Sequence, residues 1–270
     1  MSDDVHQPAE PSPLKRAFIA LEETRERLAS LEAAAREPIA IVGLGCRVPG
    51  ADGPDAFWDL LRDGVDAVGP VPGGRFDLDA VLHPEAGTPG RTVTRQAGFL
   101  REVDRFDPEH FGIARREAQG MDPQQRLVLE VAWEALEHAG IAPRSLERSR
   151  TGVYLGVCSG DYGALELATG DPSLLNAHYA SGIAHSVVSG RLSYVLGLQG
   201  PSVSIDTACS SSLVAIHLAC QALRAGDCRM ALAGGVNVML SADLFVAFAQ
   251  SRMLSPDGRC KAFSASADGF

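Results

Sequence analysis

One stretch limits the fold more than any other: Gly200 to Gly226, reading Gly-Pro-Ser-Val-Ser-Ile-Asp-Thr-Ala-Cys-Ser-Ser-Ser-Leu and on through Leu223. Gly200-Pro201 signals a turn, because proline cannot donate to a ladder and is kept out of central strands. Val203, Ser204, Ile205 and Asp206 then alternate as a short strand does. From Ser210 the period becomes helical. Leu213, Ile216, Cys220 and Leu223 share one stripe, and Gly226 supplies the C-terminal stop. Cys209 falls at the bend between strand and helix. There the free N–H groups and the positive end of the helix dipole point at the sulfur and favour thiolate. Ala208, Ser210, Ser211 and Ser212 are small enough to leave room for a bulky group on that sulfur. Cys209 is therefore a candidate nucleophile. A small buried cysteine at a tight turn would leave the same pattern, and spacing alone leaves both readings open.

Charge and cysteine usage narrow the class. With 24 basic and 34 acidic residues the formal charge is -10. So acidic a surface argues against a nucleic-acid or anionic-membrane partner, since phosphate binding needs clustered Lys and Arg. Met1-Ser-Asp-Asp-Val-His lacks the basic and apolar runs of a signal peptide. The most apolar region, Met230 to Ala249, is interrupted by Gly234-Gly235, Asn237 and Asp243, so it reads as core and no membrane span. The six cysteines (46, 158, 209, 220, 228 and 260) show no Cys-x-x-Cys pair, and no histidine sits at a zinc-finger offset. No metal site and no disulfide framework are expected, and a reducing cytosol is the expected setting.

Along the chain, residues 1–11 read as a disordered polar tail. Ser12-Pro13 then starts a helix. Leu14, Leu21, Leu28 and Ala35 recur every seven residues, with Ala17, Thr24 and Leu31 between them, the pattern of a short coiled coil of about three heptads. Such a helix is marginal alone and calls for a partner. The stripe fits a dimerising or docking helix, with folding back onto the same chain as the alternative. Residues 1–36 thus form one region and 37–270 the globular one.

Ile39 to Gly45 reads as a buried strand. Its Gly-x-Gly lacks a third glycine, because Val48-Pro49 follows, so a dinucleotide site is not supported. Pro54 to Arg62 is a short helix ending at Gly64, and 65–110 is loop-rich. Arg91, Arg95, Arg101 and Arg105 lie there among Glu102, Asp104 and Asp107 as a solvated surface. Met121-Asp-Pro-Gln-Gln-Arg opens the clearest helix, with Asp122 as N-cap, Pro123 first and Gln125 able to close a capping box; Gly140 ends it. Thr151 to Val157 reads as a strand, Val187 to Leu196 as an apolar segment open to helix, and Met230 to Leu240 as a buried strand pair or one strand bulged at Gly234-Gly235. Alternating strands and helices give a layered α/β fold with a mostly buried sheet.

Glu37-Pro-Ile-Ala-Ile-Val-Gly-Leu-Gly-Cys-Arg, Met121-Asp-Pro-Gln-Gln-Arg-Leu, Asp206-Thr-Ala-Cys-Ser-Ser-Ser-Leu and Leu254-Ser-Pro-Asp-Gly-Arg-Cys-Lys-Ala-Phe together resemble the β-ketoacyl synthase domain of modular type I polyketide synthases. The similarity runs from about Glu37 to Phe270, and the heptads resemble a polyketide synthase docking coiled coil. The resemblance implies a thiolase-like sandwich of two similar α/β halves, of which 37–270 is the N-terminal one, assembled as a homodimer. It also implies decarboxylative chain extension. Cys209 would hold the acyl chain as a thioester, its backbone N–H facing the oxyanion. The extender would come on an acyl carrier protein bearing 4'-phosphopantetheine, and an upstream polyketide synthase protein would dock at the N-terminal helix. No directly bound cofactor is implied. Cys209, where loading variants carry Gln, marks an extending synthase.

The family's two histidines and lysine come from the second half of its fold, in His-Gly-Thr-Gly and Asn-Ile-Gly-His contexts that do not occur here. The chain stops at Asp268-Gly269-Phe270, about where that half should begin. His217 follows Cys209 by eight residues on one helix, about 12 Å along its axis and too far for a general base. His178 and His185 read as surface or core histidines. His6, His83, His110 and His138 carry no site signal. A non-catalytic docking or dimerising fragment is the alternative function. Half a sandwich would also expose apolar surface, so residues 38–270 alone are expected to be poorly soluble.

Overall fold

The structure, a computed structural model, describes residues 12–270. They fall into two units, one ending at Ala40 and the other running from Ile41 to Phe270. The first is helix α1 (Pro13–Ala35) and its flank. Ser12 Oγ accepts from the Lys15 amide at 3.3 Å, the cap that Ser-Pro signals. Leu14, Leu21 and Leu28 on the heptad stripe are 82, 54 and 56% exposed. The expected tail at 1–11 lies outside the described residues.

The second unit does not begin with the expected strand. Residues 39–45 form none, and Ile41 is 81% exposed. Residues 43–45 are laid on a helix rather than beside a strand. At Gly43 a Cβ would fall 2.3 Å from the Ala135 carbonyl oxygen, and at Gly45 2.5 Å from that of Val131. Leu44 N donates to His138 Nδ1 at 3.2 Å. The two glycines thus permit close backbone approach.

Two short antiparallel pairs follow: β1 (Arg47–Val48) with β2 (Ala51–Asp52), then, after helix α2 (Pro54–Arg62), β3 (Val68–Pro70) with β4 (Gln96–Gly98). After α3 (Arg115–Gln119) comes α4 (Pro123–His138). Asp122 caps α4 by accepting from Gln124 N at 2.8 Å. Gln125 does not close a capping box. Its amide is drawn instead to the carbonyls of Ser181 (3.0 Å) and Gly182 (2.8 Å), which lie within reach of the buried helix start.

The core is a three-stranded parallel sheet. It is built from β5 (Thr151–Gly156), then, after α5 (Asp161–Ala168), α6 (Tyr179–Ile183) and α7 (His185–Leu196), β6 (Ser202–Ile205), then α8 (Ser211–Ala225) and β7 (Met230–Gly235). Helix α9 (Asp243–Gln250) closes the order. The strands run β6-β5-β7, with Gly156 opposite both Ile205 and Gly235. Every residue of β5 is buried, as a central parallel strand requires. Its side chains alternate between two helical layers. Val153 and Leu155 pack with Val128, Leu129 and Leu136 of α4 and Val188, Leu192 and Leu196 of α7. Tyr154 packs with Ala215, Ala219 and Ala222 of α8.

Three details depart from the sequence-based expectations. The apolar stripe of α8 is only partly covered, since Leu213 and Ile216 are 69 and 45% exposed and Leu223 packs at the margin of the Tyr154 cluster, while Ser211, Ala215, Ala219 and Ala222 are the buried residues. The helix lies too close for large side chains. A Cβ on Gly156 would meet Ser212 N at 2.6 Å, and one on Gly235 would meet Ser212 Cβ at 2.9 Å. The apolar segment 187–196 is helical but begins at His185. From Met230 a single unbulged strand runs in continuous register with β5 and ends at Gly235, leaving 236–240 without strand structure.

Candidate active site

The site is assembled where the parallel strands end, the edge at which open α/β sheets bind their ligands. β6 ends at Ile205 and α8 begins at Ser211, and a single turn of 3-10 helix (Ala208–Ser210) joins them. Ala208 is left-handed, with φ 54°, a conformation that costs an alanine on the order of 1 kcal/mol or more and persists only where its surroundings hold it. Asp206 Oδ1 accepts from Ala208 N at 2.9 Å. Ser211 Oγ accepts from Thr207 N at 2.9 Å and donates to the Ala208 carbonyl at 2.7 Å. Ser210 Oγ donates to the Thr207 carbonyl at 2.9 Å. Short polar side chains are suited to such local backbone locks. The locked turn carries Cys209 exposed to solvent.

The neighbouring strand end is fixed as firmly. After β5, Val157 is buried, Cys158 is exposed and Ser159 is buried again. Both ends of the buried Gln124 amide hold Ser159: Nε2 donates to its carbonyl at 2.9 Å, and Oε1 accepts from its hydroxyl at 3.0 Å. Gln124 Nε2 also reaches Asp122 Oδ2 at 3.2 Å. His185 Nε2 lies 3.1 Å from the same Ser159 carbonyl. Burial, only partly offset by hydrogen bonds from Gln124, pushes the Asp122 carboxyl up. Further along, Asp161 Oδ2 accepts from Leu240 N at 2.9 Å, tying in the segment beyond β7. Partial burial, followed by the charges of Asp206 and Cys209, pushes the Cys158 thiol up.

Cys209 and Cys158 thus share one sheet edge. The histidines are scattered. His217 is exposed on α8, and His178 flanks the start of α6. His110 packs edge-on against Trp133, His83 Nδ1 lies 3.0 Å from Thr88 Oγ1, and His138 serves Leu44; His6 is outside the described residues. His185, which carried no spacing signal, reaches the strand-end loop only because α7 starts two residues before its apolar run. Gln124 likewise gave no sign of clamping a residue 35 positions away. Among the described residues there is no group of three or more His, Cys, Asp or Glu side chains arranged to hold a metal. No helix there is long and apolar enough to cross a membrane.

The fold and the edge define a layered α/β protein presenting a thiol at the C-terminal end of a parallel sheet. Residues 36–270 match the model of the β-ketoacyl synthase N-terminal domain, and the chain belongs to that family. It is 53% identical over 238 residues to a phenolphthiocerol/phthiocerol polyketide synthase of Mycobacterium tuberculosis, covering 88% of this chain and 15% of that one. It is also 53% identical over 258 residues to a type I phenolphthiocerol synthesis polyketide synthase of Mycobacterium bovis, covering 95% and 12%. The chain therefore spans only a small part of these relatives. Among solved structures it resembles a ketosynthase domain for oxazolomycin from Streptomyces albus (TM-score 0.78, 40% identity, 85% of this chain and 39% of that one). It also resembles the ketosynthase from module 6 of the bacillaene synthase of Bacillus subtilis (TM-score 0.77, 38% identity, 86% and 38%). The fold is that of a thiolase-like ketosynthase domain.

Proposed function

We propose that this chain supplies the acyl-accepting half of a chain-extending ketosynthase, with Cys209 as the nucleophile. The observation that carries the reading is the hydrogen-bonded turn that holds Cys209 in solvent ahead of α8. An acyl group arrives as a thioester on the 4'-phosphopantetheine arm of an acyl carrier protein. The Cys209 sulfur bonds to the carbonyl carbon, and the arm leaves as its thiol. The Cys209 backbone N–H donates to the oxyanion as the tetrahedral intermediate forms. A malonyl-type extender then loses carbon dioxide, its carbanion attacks the bound thioester, and the Cys209 sulfur is expelled. The histidines and lysine of that second step belong, by family resemblance, to a second half of the fold. No cofactor is bound by this chain itself in this scheme, because the arm belongs to the carrier.

On the same reading residues 37–270 form the N-terminal half of the ketosynthase, and the working particle is a cytosolic homodimer. Residues 1–36 form the docking region that meets an upstream polyketide synthase protein. The exposed leucines of α1 support this region as the other reading, a fragment that docks or dimerises and does no chemistry. The two part in one assay. The protein is supplied with an acyl thioester, an extender-loaded carrier protein and the complementary ketosynthase half. A β-ketoacyl thioester on the carrier, absent with Cys209→Ala, is the expected result. Association without product and without acyl transfer would leave only the docking reading.

A further inference from the structure

Three serines follow Cys209, and the fold treats them differently. Ser210 is exposed and Ser212 half-buried, whereas Ser211 is buried at the strand ends. A Cβ on Gly156 would lie 2.8 Å from the Ser211 Cβ, so this side chain is held between helix and sheet. From there its hydroxyl reaches back across the turn. It accepts from Thr207 N at 2.9 Å and donates to the Ala208 carbonyl at 2.7 Å, a carbonyl that also accepts from the Ser211 amide. Thr207 and Ala208 are themselves exposed, so water can serve both backbone groups in place of the hydroxyl. The hydroxyl is therefore needed for geometry and not to satisfy buried polar groups.

The geometry it holds is a costly one. Ala208 sits at φ 54°, where its Cβ crowds the following carbonyl. The Asp206 carboxylate takes the Ala208 amide at 2.9 Å and Ser211 takes the Ala208 carbonyl, so two side chains grip the strained residue from either side. The grip reaches Cys209 through one rigid plane. The Ala208–Cys209 peptide is trans, so its N–H points opposite to its carbonyl. With that carbonyl tied to Ser211, the Cys209 N–H is fixed pointing away from Ser211. We infer that Ser211 is a positioning residue: by holding Ala208 left-handed, it aims the Cys209 N–H at the oxyanion that forms when the thiol is acylated. The inference rests on the acyl-acceptor reading above and names the group that sets the donor's direction. No bond to Ser211 forms or breaks. Without its hydroxyl Ala208 relaxes toward the right-handed region, and the Cys209 N–H swings with the carbonyl.

Two reactions of Cys209 separate this role from a general loosening of the turn. Transfer from an acyl thioester passes through an oxyanion, whereas alkylation by iodoacetamide, at a saturated carbon, does not. Both are followed on the full chain by the mass of the tryptic peptide 192–224, with fragmentation to tell Cys209 from Cys220. In Ser211→Ala, acyl uptake is expected to fall about tenfold, equivalent to about 1.4 kcal/mol and of the order of the cost of a left-handed alanine. Alkylation is expected to keep its wild-type rate. Adding Ala208→Gly, which removes the steric cost of the left-handed conformation, is expected to restore most of the acyl uptake. Asp206 is exposed, so Asp206→Ala loosens Ala208 from its other side without touching the core; the same selective loss and recovery are expected there. Equal losses in the two reactions, undiminished acyl uptake, or no recovery with Ala208→Gly would overturn the inference. Wild-type protein that is alkylated at Cys209 but takes up no acyl group would instead overturn the acyl-acceptor reading, and this role with it.

Discussion

Gln124 is the residue that most clearly ties the helix start to the candidate site. Its amide serves both the carbonyl and the hydroxyl of Ser159, and all of these groups are buried. Gln124→Leu keeps the volume but strands the Ser159 hydroxyl and removes a partner from the already disfavoured Asp122 carboxylate. A loss of about 1–3 kcal/mol in urea unfolding is expected, together with faster alkylation of Cys158 as its loop loosens. An unchanged unfolding midpoint would show that the clamp contributes nothing. Asp257 gives a pH test. Hydrogen bonds from Ser255 and Lys261 lower its carboxyl from 3.8 to about 2. A lowered carboxylate contributes stability above its ordinary value and loses it as pH falls toward the lowered one. The stability difference between the wild type and Asp257→Asn is therefore expected to be constant near neutral pH and to shrink between about pH 4 and pH 2. A difference independent of pH would contradict the assignment. At this scale the sequence was uneven. The Asp122 cap follows from Asp-Pro at a helix start, whereas Gln125 leaves its local role because two carbonyls of a distant segment come within reach.

Among the elements, the packing of α8 on the sheet decides where Cys209 sits. Periodicity marks two faces of this helix without saying which one is covered. The sheet is approached so closely at Gly156 and Gly235 that serines lie against it at the helix start and alanines follow on the buried face, while Leu213 and Ile216 turn outward. Gly156→Ala is thus expected to push on the backbone of Ser211 and Ser212 and to destabilise by about 1–3 kcal/mol, as overpacking does. A melt and a Cys209 alkylation rate both equal to wild type would mean that α8 yields without cost. The same preference for close approach explains residues 39–45. Their β-branched run predicts a strand, but their glycines lie on α4 and no described strand runs beside them. The run from β6 through α8, by contrast, was readable, because Gly200-Pro201 opens it and Gly226 closes it, whereas α5 and α6 between β5 and β6 were not read from the sequence.

For the whole molecule, the family match and the parallel sheet agree, while the leucines of α1, Ile41 and Leu213 are exposed among the described residues. If α1 is a docking helix, Leu21→Asp with Leu28→Asp is expected to reduce association in sedimentation while leaving the melt of the Ile41–Phe270 unit unchanged. Loss of that melt would instead show that α1 belongs to the core. What the sequence could not convey is this covering surface, because a stripe gives its own polarity and not the identity of what meets it. The central claim is that Cys209 takes up acyl groups, and peptide mass mapping tests it most directly. The reduced protein is incubated with an acyl thioester and digested. The acyl mass is expected on the peptide 192–224, localised to Cys209, lost with Cys209→Ala and kept with Cys158→Ser. An unmodified Cys209, or acyl mass spread over Cys46, Cys158 and Cys260 in proportion to exposure, would contradict it.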